Sequence, residues 1–145
     1  MNEERKEMDS ALKEAFIPEL RKRGFKGSMP HFRRILQDRV DYLTIQFYSA
    51  GGGFVVEIAK SGPNGVESGF GSELPVEKLS VQYFGKRLRL GSRPEEGVRD
   101  HWFEFGRKSY EQQGPIKPYE HYLDVAKSVV PFLDTQAEKW WNNDG

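Results

Sequence analysis

The chain has 145 residues, with 22 basic and 22 acidic side chains, so its formal net charge is zero. That balance gives no global field that would draw the whole protein onto nucleic acid or an anionic membrane. Because the sequence contains no cysteine, it excludes disulfides, a thiolate nucleophile and a zinc site with cysteine ligands. The charged N-terminal residues do not form a signal peptide, and no apolar run approaches the roughly 20 residues that span a bilayer. We therefore expect one cytoplasmic domain, residues 1–145, with no membrane segment.

The first region, residues 3–23, is predicted to be a helix. Pro18 removes a backbone hydrogen bond and clashes with the preceding turn, so we expect a kink or a break there. Gly24 follows three basic residues and ends the helix. Apolar side chains at helical spacing place one stripe on this helix: Met8, Leu12, Ala15, Phe16 and Leu20.

The middle region, about residues 29–106, alternates between apolar and polar side chains as β-strands do. Two alternating runs are joined by Gly51-Gly52-Gly53, which predicts a hairpin. A further strand over residues 31–36 precedes them and ends at the Asp38-Arg39 turn. One face of the hairpin is apolar, with Leu43, Ile45, Phe47, Phe54, Val56 and Ile58. The opposite face carries Tyr42, Thr44, Gln46, Tyr48 and Glu57.

The later strands are shorter and less regular. Residues 76–79 are predicted to form a short turn. The run from Val81 to Leu90 changes its alternation at Gly85, which fits a β-bulge or a bend. Residues 101–105 read as a last short strand, followed by a loop to Pro118.

The third region, residues 118–141, is predicted to be a helix, and Pro131 predicts a kink or a restart within it. Strands grouped between two terminal helices favour an α+β fold over alternating βα units. We expect an antiparallel sheet of about five strands, flanked on one face by the N- and C-terminal helices. The apolar stripe of the last helix is Tyr122, Val125, Ala126, Val129, Leu133, Ala137 and Trp140.

The order of several short motifs is similar to that of a known family. The "Gly-Phe-Lys" at residues 24–26 follows the first helix, and "His-Phe-Arg-Arg" at 31–34 precedes "Thr-Ile-Gln-Phe" at 44–47. "Arg-Leu-Gly" at 89–91 then precedes "Asp-His-Trp-Phe" at 100–103. This succession resembles the bacterial domain-of-unknown-function family 4304. The chain departs from the family pattern at Phe103, where a second tryptophan is usual, and in the order of Gln46 and Phe47. The resemblance implies a small bacterial protein and carries over no activity; some comparable small families are immunity proteins against toxins, which is an analogy only.

No pattern of catalytic or metal-binding residues stands out. The glycine cluster at residues 51–53 lies between two strands and lacks the following helix that a phosphate loop requires. His31, His101 and His121 form no ligand pair at a recognised spacing, and no serine lies in a nucleophile elbow. Asp100 adjoins His101, although neighbouring residues on a strand point to opposite faces. We therefore expect no metal and no cofactor.

The most basic stretch lies between residues 86 and 93. If Leu88 and Leu90 face the core, Arg87 and Arg89 share the outer face near Trp102. Two guanidiniums placed in this way could bind a carboxylate or phosphate, stack a nucleobase, or simply protect the edge of the sheet by charge.

Three functional hypotheses follow, in order of preference. The first is a protein-binding module, of which an immunity-type inhibitor would be one example, that uses a solvated sheet face rich in Tyr, Gln and Arg. The second is a binder of a small anionic ligand through Arg87 and Arg89. The third is an enzyme with a dispersed site around Asp100, His101 and a neighbouring carboxylate. Nucleic acid is not expected as a partner, and the oligomeric state is left open. The candidate surface comprises Tyr42, Gln46, Tyr48, Arg87, Arg89, His101 and Trp102.

Overall fold

The computed structural model describes residues 3–67, 73–108, 110–111 and 114–143. Two helices come first, α1 (Glu3–Ala15) and α2 (Ile17–Lys22), and two come last, α3 (Tyr119–Val129) and α4 (Glu138–Trp141). No helix in the described ranges is long and apolar enough to cross a membrane. The strands between them are β1 (Lys26–Ser28), β2 (His31–Ile35), β3 (Val40–Phe47), β4 (Gly53–Ser61), β5 (Val66–Glu67), β6 (Glu73–Leu74), β7 (Leu88–Arg89) and β8 (Phe103–Glu104).

Six of the described strands form one antiparallel sheet, which confirms the predicted α+β architecture. Strands β1 to β4 follow one another as a meander, and the short strands β7 and β8 both pair with the outer edge of β4. The predicted hairpin is confirmed, since Phe47 pairs with Phe54 across the glycine turn. Strands β5 and β6 form a separate two-stranded ribbon.

The N- and C-terminal helices pack against the same face of the sheet, as predicted, and this face holds the main core. Strand residues of the predicted apolar face meet the stripe of α1 and the stripe of α3 there. The fully buried members include Met8, Leu12, Phe16, Leu43, Ile45, Phe54, Val56, Ile58, Tyr122 and Ala126. We call this side of the sheet the helix face and the other side the second face.

Both prolines interrupt their helices. The predicted helix 3–23 breaks at Phe16, and α2 restarts with Pro18 in its first turn, where the missing N–H is tolerated. At the C-terminus, α3 ends at Val129, and a π-helical turn (Leu133–Ala137) precedes α4. This wider turn shifts the stripe by one residue. As a result Trp141, not the predicted Trp140, is buried at 1% exposure.

The run from Val81 to Leu90 contains much less strand than its sequence suggests. Val81–Tyr83 is a 3₁₀ turn, Gly85 lies in a bend, and only Leu88–Arg89 pairs with β4. The change of alternation at Gly85 therefore marks a bend rather than a bulge. The predicted turn at residues 76–79 is confirmed as a second 3₁₀ segment, Val76–Lys78.

Candidate functional site

One end of the second face is covered by residues 76–84, here called the covering segment. Tyr42 lies beneath it, fully buried, with its ring centroid 5.1 Å from that of Phe84. The Tyr42 hydroxyl donates a hydrogen bond to the Val76 carbonyl at 3.3 Å and lies 3.2 Å from the hydroxyl of Ser61. Tyr42 was predicted to belong to an accessible surface, and this placement was wrong. Alternation gives its face correctly, but a segment from further along the chain covers it.

The other end of the second face remains uncovered and is called the open face. Strand register orders it in rows: Thr44 of β3 lies opposite Glu57 of β4, which in turn lies opposite Arg89 of β7. The next row along the sheet contains Gln46 and Val55. The open face comprises Thr44, Gln46, Tyr48, Glu57, Arg87, Arg89, Trp102 and Glu104, which surround the buried Gly53 and Val55, and so it includes five of the seven predicted surface residues.

Aromatic and cationic side chains meet at the centre of the open face. The rings of Tyr48 and Trp102 are in contact, with centroids 5.1 Å apart. The guanidinium carbon of Arg89 lies 5.4 Å from the centroid of the Trp102 ring, within the range of a cation–π interaction. Although Trp102 makes both contacts, 37% of its surface remains exposed. Sequence alone predicted that Arg89 and Trp102 would be close, and they are.

Carboxylates accompany both arginines of the predicted basic strand. The Glu57 side chain lies between them, with its oxygens 3.7 Å from Nε of Arg87 and 3.7 Å from Nε of Arg89. Asp100 Oδ1 lies 3.2 Å from Nη1 of Arg89. Two guanidiniums therefore face two carboxylates, and this part of the open face is close to electrically neutral.

A cleft opens where β4 has no side chain at Gly53. On one side Gly53 pairs with Glu104 of β8, and on the other its carbonyl accepts a hydrogen bond from the Tyr48 amide at 2.8 Å. The resulting cleft of about 440 Å³ is lined by Tyr48, Gly53, Trp102, Glu104, Lys108 and Glu111. Sequence analysis missed Glu104 and Gly53 as site residues, although Glu104 is two residues after Trp102 in the predicted strand 101–105 and would therefore share its face.

A second, smaller groove of about 250 Å³ adjoins the covering segment. His31 and Thr44 form one wall, with His31 Nδ1 2.9 Å from the Thr44 hydroxyl oxygen. Burial lowers the pKa of His31 below its ordinary value. Glu57 and Arg87 form the opposite wall, so the groove joins the charged centre of the open face.

His101 lies away from the open face, although it was predicted to be part of the surface. Its ring packs edge-on against Phe103, with centroids 4.8 Å apart, and against Phe132 of the C-terminal helical region. Burial, together with the nearby charge of Arg93, lowers the pKa of His101. Its neighbour Asp100 pairs with Arg89 instead, because successive residues on an extended chain point to opposite sides.

A polar cluster joins α1 to α3 on the helix side. The buried Tyr122 hydroxyl donates a hydrogen bond to Glu4 Oε2 at 2.9 Å. Burial and this carboxylate raise the pKa of Tyr122 to about 12. His121 Nε2 lies 2.7 Å from the Phe105 carbonyl and donates to it. Within the described residues, no group of three or more His, Asp or Glu side chains is arranged to hold a metal ion.

Comparison with known proteins gives a family but no function. No curated protein and no solved structure matches the chain. The model of one family matches residues 16–143, which contain every strand of the sheet and the whole open face. The chain therefore belongs to the family described as Domain of unknown function (DUF4304).

Proposed function

We propose that this chain is a protein-binding module whose docking surface is the open face. The observation that carries the proposal is the exposed Trp102 ring in contact with both Tyr48 and Arg89. Tryptophan, tyrosine and arginine are the residues most enriched at energetic hot spots of protein interfaces. Here Tyr48 and Arg89 both pack against Trp102, which reduces the side-chain entropy that binding would cost.

The charges of the open face favour a protein over a small anion. An anionic ligand would have to displace Glu57 or Asp100 from the guanidiniums that each already faces. A protein partner would instead cover the paired charges and leave them paired, which avoids burying an isolated ion. The alternative of an enzyme with a site at Asp100 and His101 loses support, because those side chains lie on different sides of the sheet.

The test is capture of a partner by the tagged full-length chain. The absence of cysteine fits a cytoplasmic location, so the lysate of the producing cell is the first source of partners. We expect one stoichiometric protein, retained by the native chain and lost with Trp102→Ala. Gln46→Arg, which adds a long charged side chain at an exposed position, provides a second disruption that leaves the core untouched.

Ile35→Ala is the matched control. Ile35 is also a large exposed apolar side chain, at 53% exposure, and it lies on the second face. It pairs with Val40 at the far end of β3, about 23 Å from Phe47 by the rise of a strand. A partner lost equally with Ile35→Ala, or kept with both Trp102→Ala and Gln46→Arg, would contradict the proposal. If the captured protein is a toxin that the module inactivates, the role is that of an immunity protein.

A further inference from the structure

The Gly53 cleft occupies the position of a missing side chain in the middle of a row. Tyr48 and Glu104 lie on the two sides of Gly53. Since neighbouring strands are separated by about 4.8 Å, the two flanking backbones stand about 10 Å apart. The Trp102 ring borders this gap, since its Cε3 atom would lie 3.7 Å from a methyl group at Gly53. A side chain inserted from outside would therefore lie between the Trp102 ring and the Glu104 carboxylate.

The side chains that line the cleft favour a cationic ligand. Glu104 is exposed, and within the described part of the chain no hydrogen bond or ion pair joins its carboxylate. Two aromatic rings, Tyr48 and Trp102, stand beside it, and aromatic faces attract ammonium and guanidinium groups. The apolar edge of the cleft would contact the aliphatic stem of a long basic side chain.

The remaining charges near the cleft do not oppose this assignment. Lys108 lines the cleft on one side, and Glu111 lines it with the opposite charge. Arg89 lies near the Trp102 ring, but it faces Asp100 and Glu57 and so contributes little net field. Together with Glu104, the lining has one more negative charge than positive charge.

We infer that the Gly53 cleft binds a lysine or arginine side chain presented by the protein partner. The inference rests on the proposed function and specifies what the partner offers. The ammonium or guanidinium group pairs with Glu104, and the stem lies along the exposed part of the Trp102 ring beside Gly53.

The experiment is an NMR titration of the full chain with blocked tripeptides that carry lysine, arginine, glutamate or norleucine at the centre. Norleucine has an aliphatic stem of similar length to that of lysine, without the charge. The reporter is the Trp102 indole N–H signal, identified as the signal that Trp102→Phe removes. We expect saturable shifts with the lysine and arginine peptides, with Kd on the order of 1–10 mM, as suits one cation in an aromatic site.

Two variants and one control decide the outcome. Glu104→Gln keeps the shape and should weaken binding about fivefold, as loss of a charge-assisted contact does. Gly53→Ala adds a methyl group at the base of the cleft and should weaken peptide binding about threefold. Glu95 is an exposed carboxylate outside the cleft, so the control Glu95→Gln should leave peptide binding unchanged. Equal shifts with norleucine, unchanged binding by Glu104→Gln, or no shift at about 50 mM peptide would each overturn the inference.

Failure of this inference can be told apart from failure of the proposed function. A partner that is lost with Trp102→Ala but kept with Glu104→Gln and Gly53→Ala would support docking on the open face and refute the basic side chain. A partner indifferent to Trp102→Ala would refute the docking surface, while the peptide titration would still decide what the cleft binds.

Discussion

Asp41→Asn should destabilise the protein by about 3 kcal/mol, because Asp41 is a fully buried charge with two cationic partners. Its Oδ2 accepts hydrogen bonds from Nε and Nη2 of Arg34 at 3.0 and 2.7 Å. Its Oδ1 accepts one from Nε of Arg39 at 2.7 Å. Arg34 also binds Glu138 of α4, at 2.8 and 3.0 Å, so the cluster ties two central strands to the C-terminal helix.

The magnitude follows from what asparagine cannot replace. Its shape is that of aspartate, but its amide group turns a donor towards the donors of one guanidinium. Removing one member of a buried ion pair costs about 3–5 kcal/mol. The cost here lies at the lower end, since the side chains of Arg34 and Arg39 are 12% and 21% exposed. Arg34 also keeps Glu138 as a partner.

Urea unfolding at neutral pH measures this loss directly. Asp38→Asn is the matched control, because Asp38 is an exposed carboxylate in the adjacent turn and should change stability by less than about 0.5 kcal/mol. For a chain of this size, a loss of 3 kcal/mol corresponds to a fall in Tm of about 10 °C. If Asp41→Asn cost less than about 1 kcal/mol, the arginines would be satisfied by solvent and the cluster would not hold the C-terminal helix.

Three further predictions concern stability. Trp141→Phe should cost about 2 kcal/mol in urea unfolding, because it removes an indole hydrogen bond of 3.0 Å to a buried backbone carbonyl of β4, and a loss under about 0.5 kcal/mol would contradict this. Gly53→Ala should raise the free energy of unfolding by about 0.5–1 kcal/mol. Gly52→Ala should lower it, because Gly52 has a φ of +85° and an added methyl group would lie 2.9 Å from a backbone oxygen. The opposite order of stabilities would refute this reasoning. Folding raises the pKa of Tyr122 to about 12. The protonated Tyr122 side chain therefore contributes fully to the stability of the fold below pH 10, and this contribution is lost as the pH rises from 10 to about 12. In unfolding measured across that range, the native chain should lose more stability than Tyr122→Phe, and a parallel loss in both would show that ionisation of Tyr122 is not responsible.

Local patterns predicted the centre of the fold well, for a physical reason. Strands β3 and β4 are eight and nine residues long, so the alternation of apolar and polar side chains repeats several times along each strand. The repetition shows clearly which side chains point towards the core. Proline likewise has the same steric effect in any helix, and both predicted interruptions occur. Short strands such as β7 and β8, with two residues each, give no such repetition, and the sheet determines them by pairing with β4.

What local patterns could not predict is which parts of a face are covered and which charges meet. Tyr42 and Gln46 alternate identically, yet only Tyr42 lies beneath the covering segment. The 28 residues between the end of β3 at Phe47 and the start of that segment at Val76 carry no signal of where the chain returns to the sheet. Glu57 is also far in sequence from Arg87, and only the register of β4 with β7 shows that the predicted basic strand is neutralised.

Gly53 connects the stability of the sheet with the proposed site. Unlike Gly52, it does not have a positive φ, so its backbone suits any residue. A methyl group there would meet its nearest atoms at 3.4 and 3.7 Å, which are ordinary contacts. Neither conformation nor packing requires glycine at this position, and glycine within a strand costs about 0.5–1 kcal/mol relative to alanine. If the cleft binds a basic side chain as inferred, the need to keep it open beside Glu104 would account for that glycine, since binding surfaces are where sequences depart from the most stable choice.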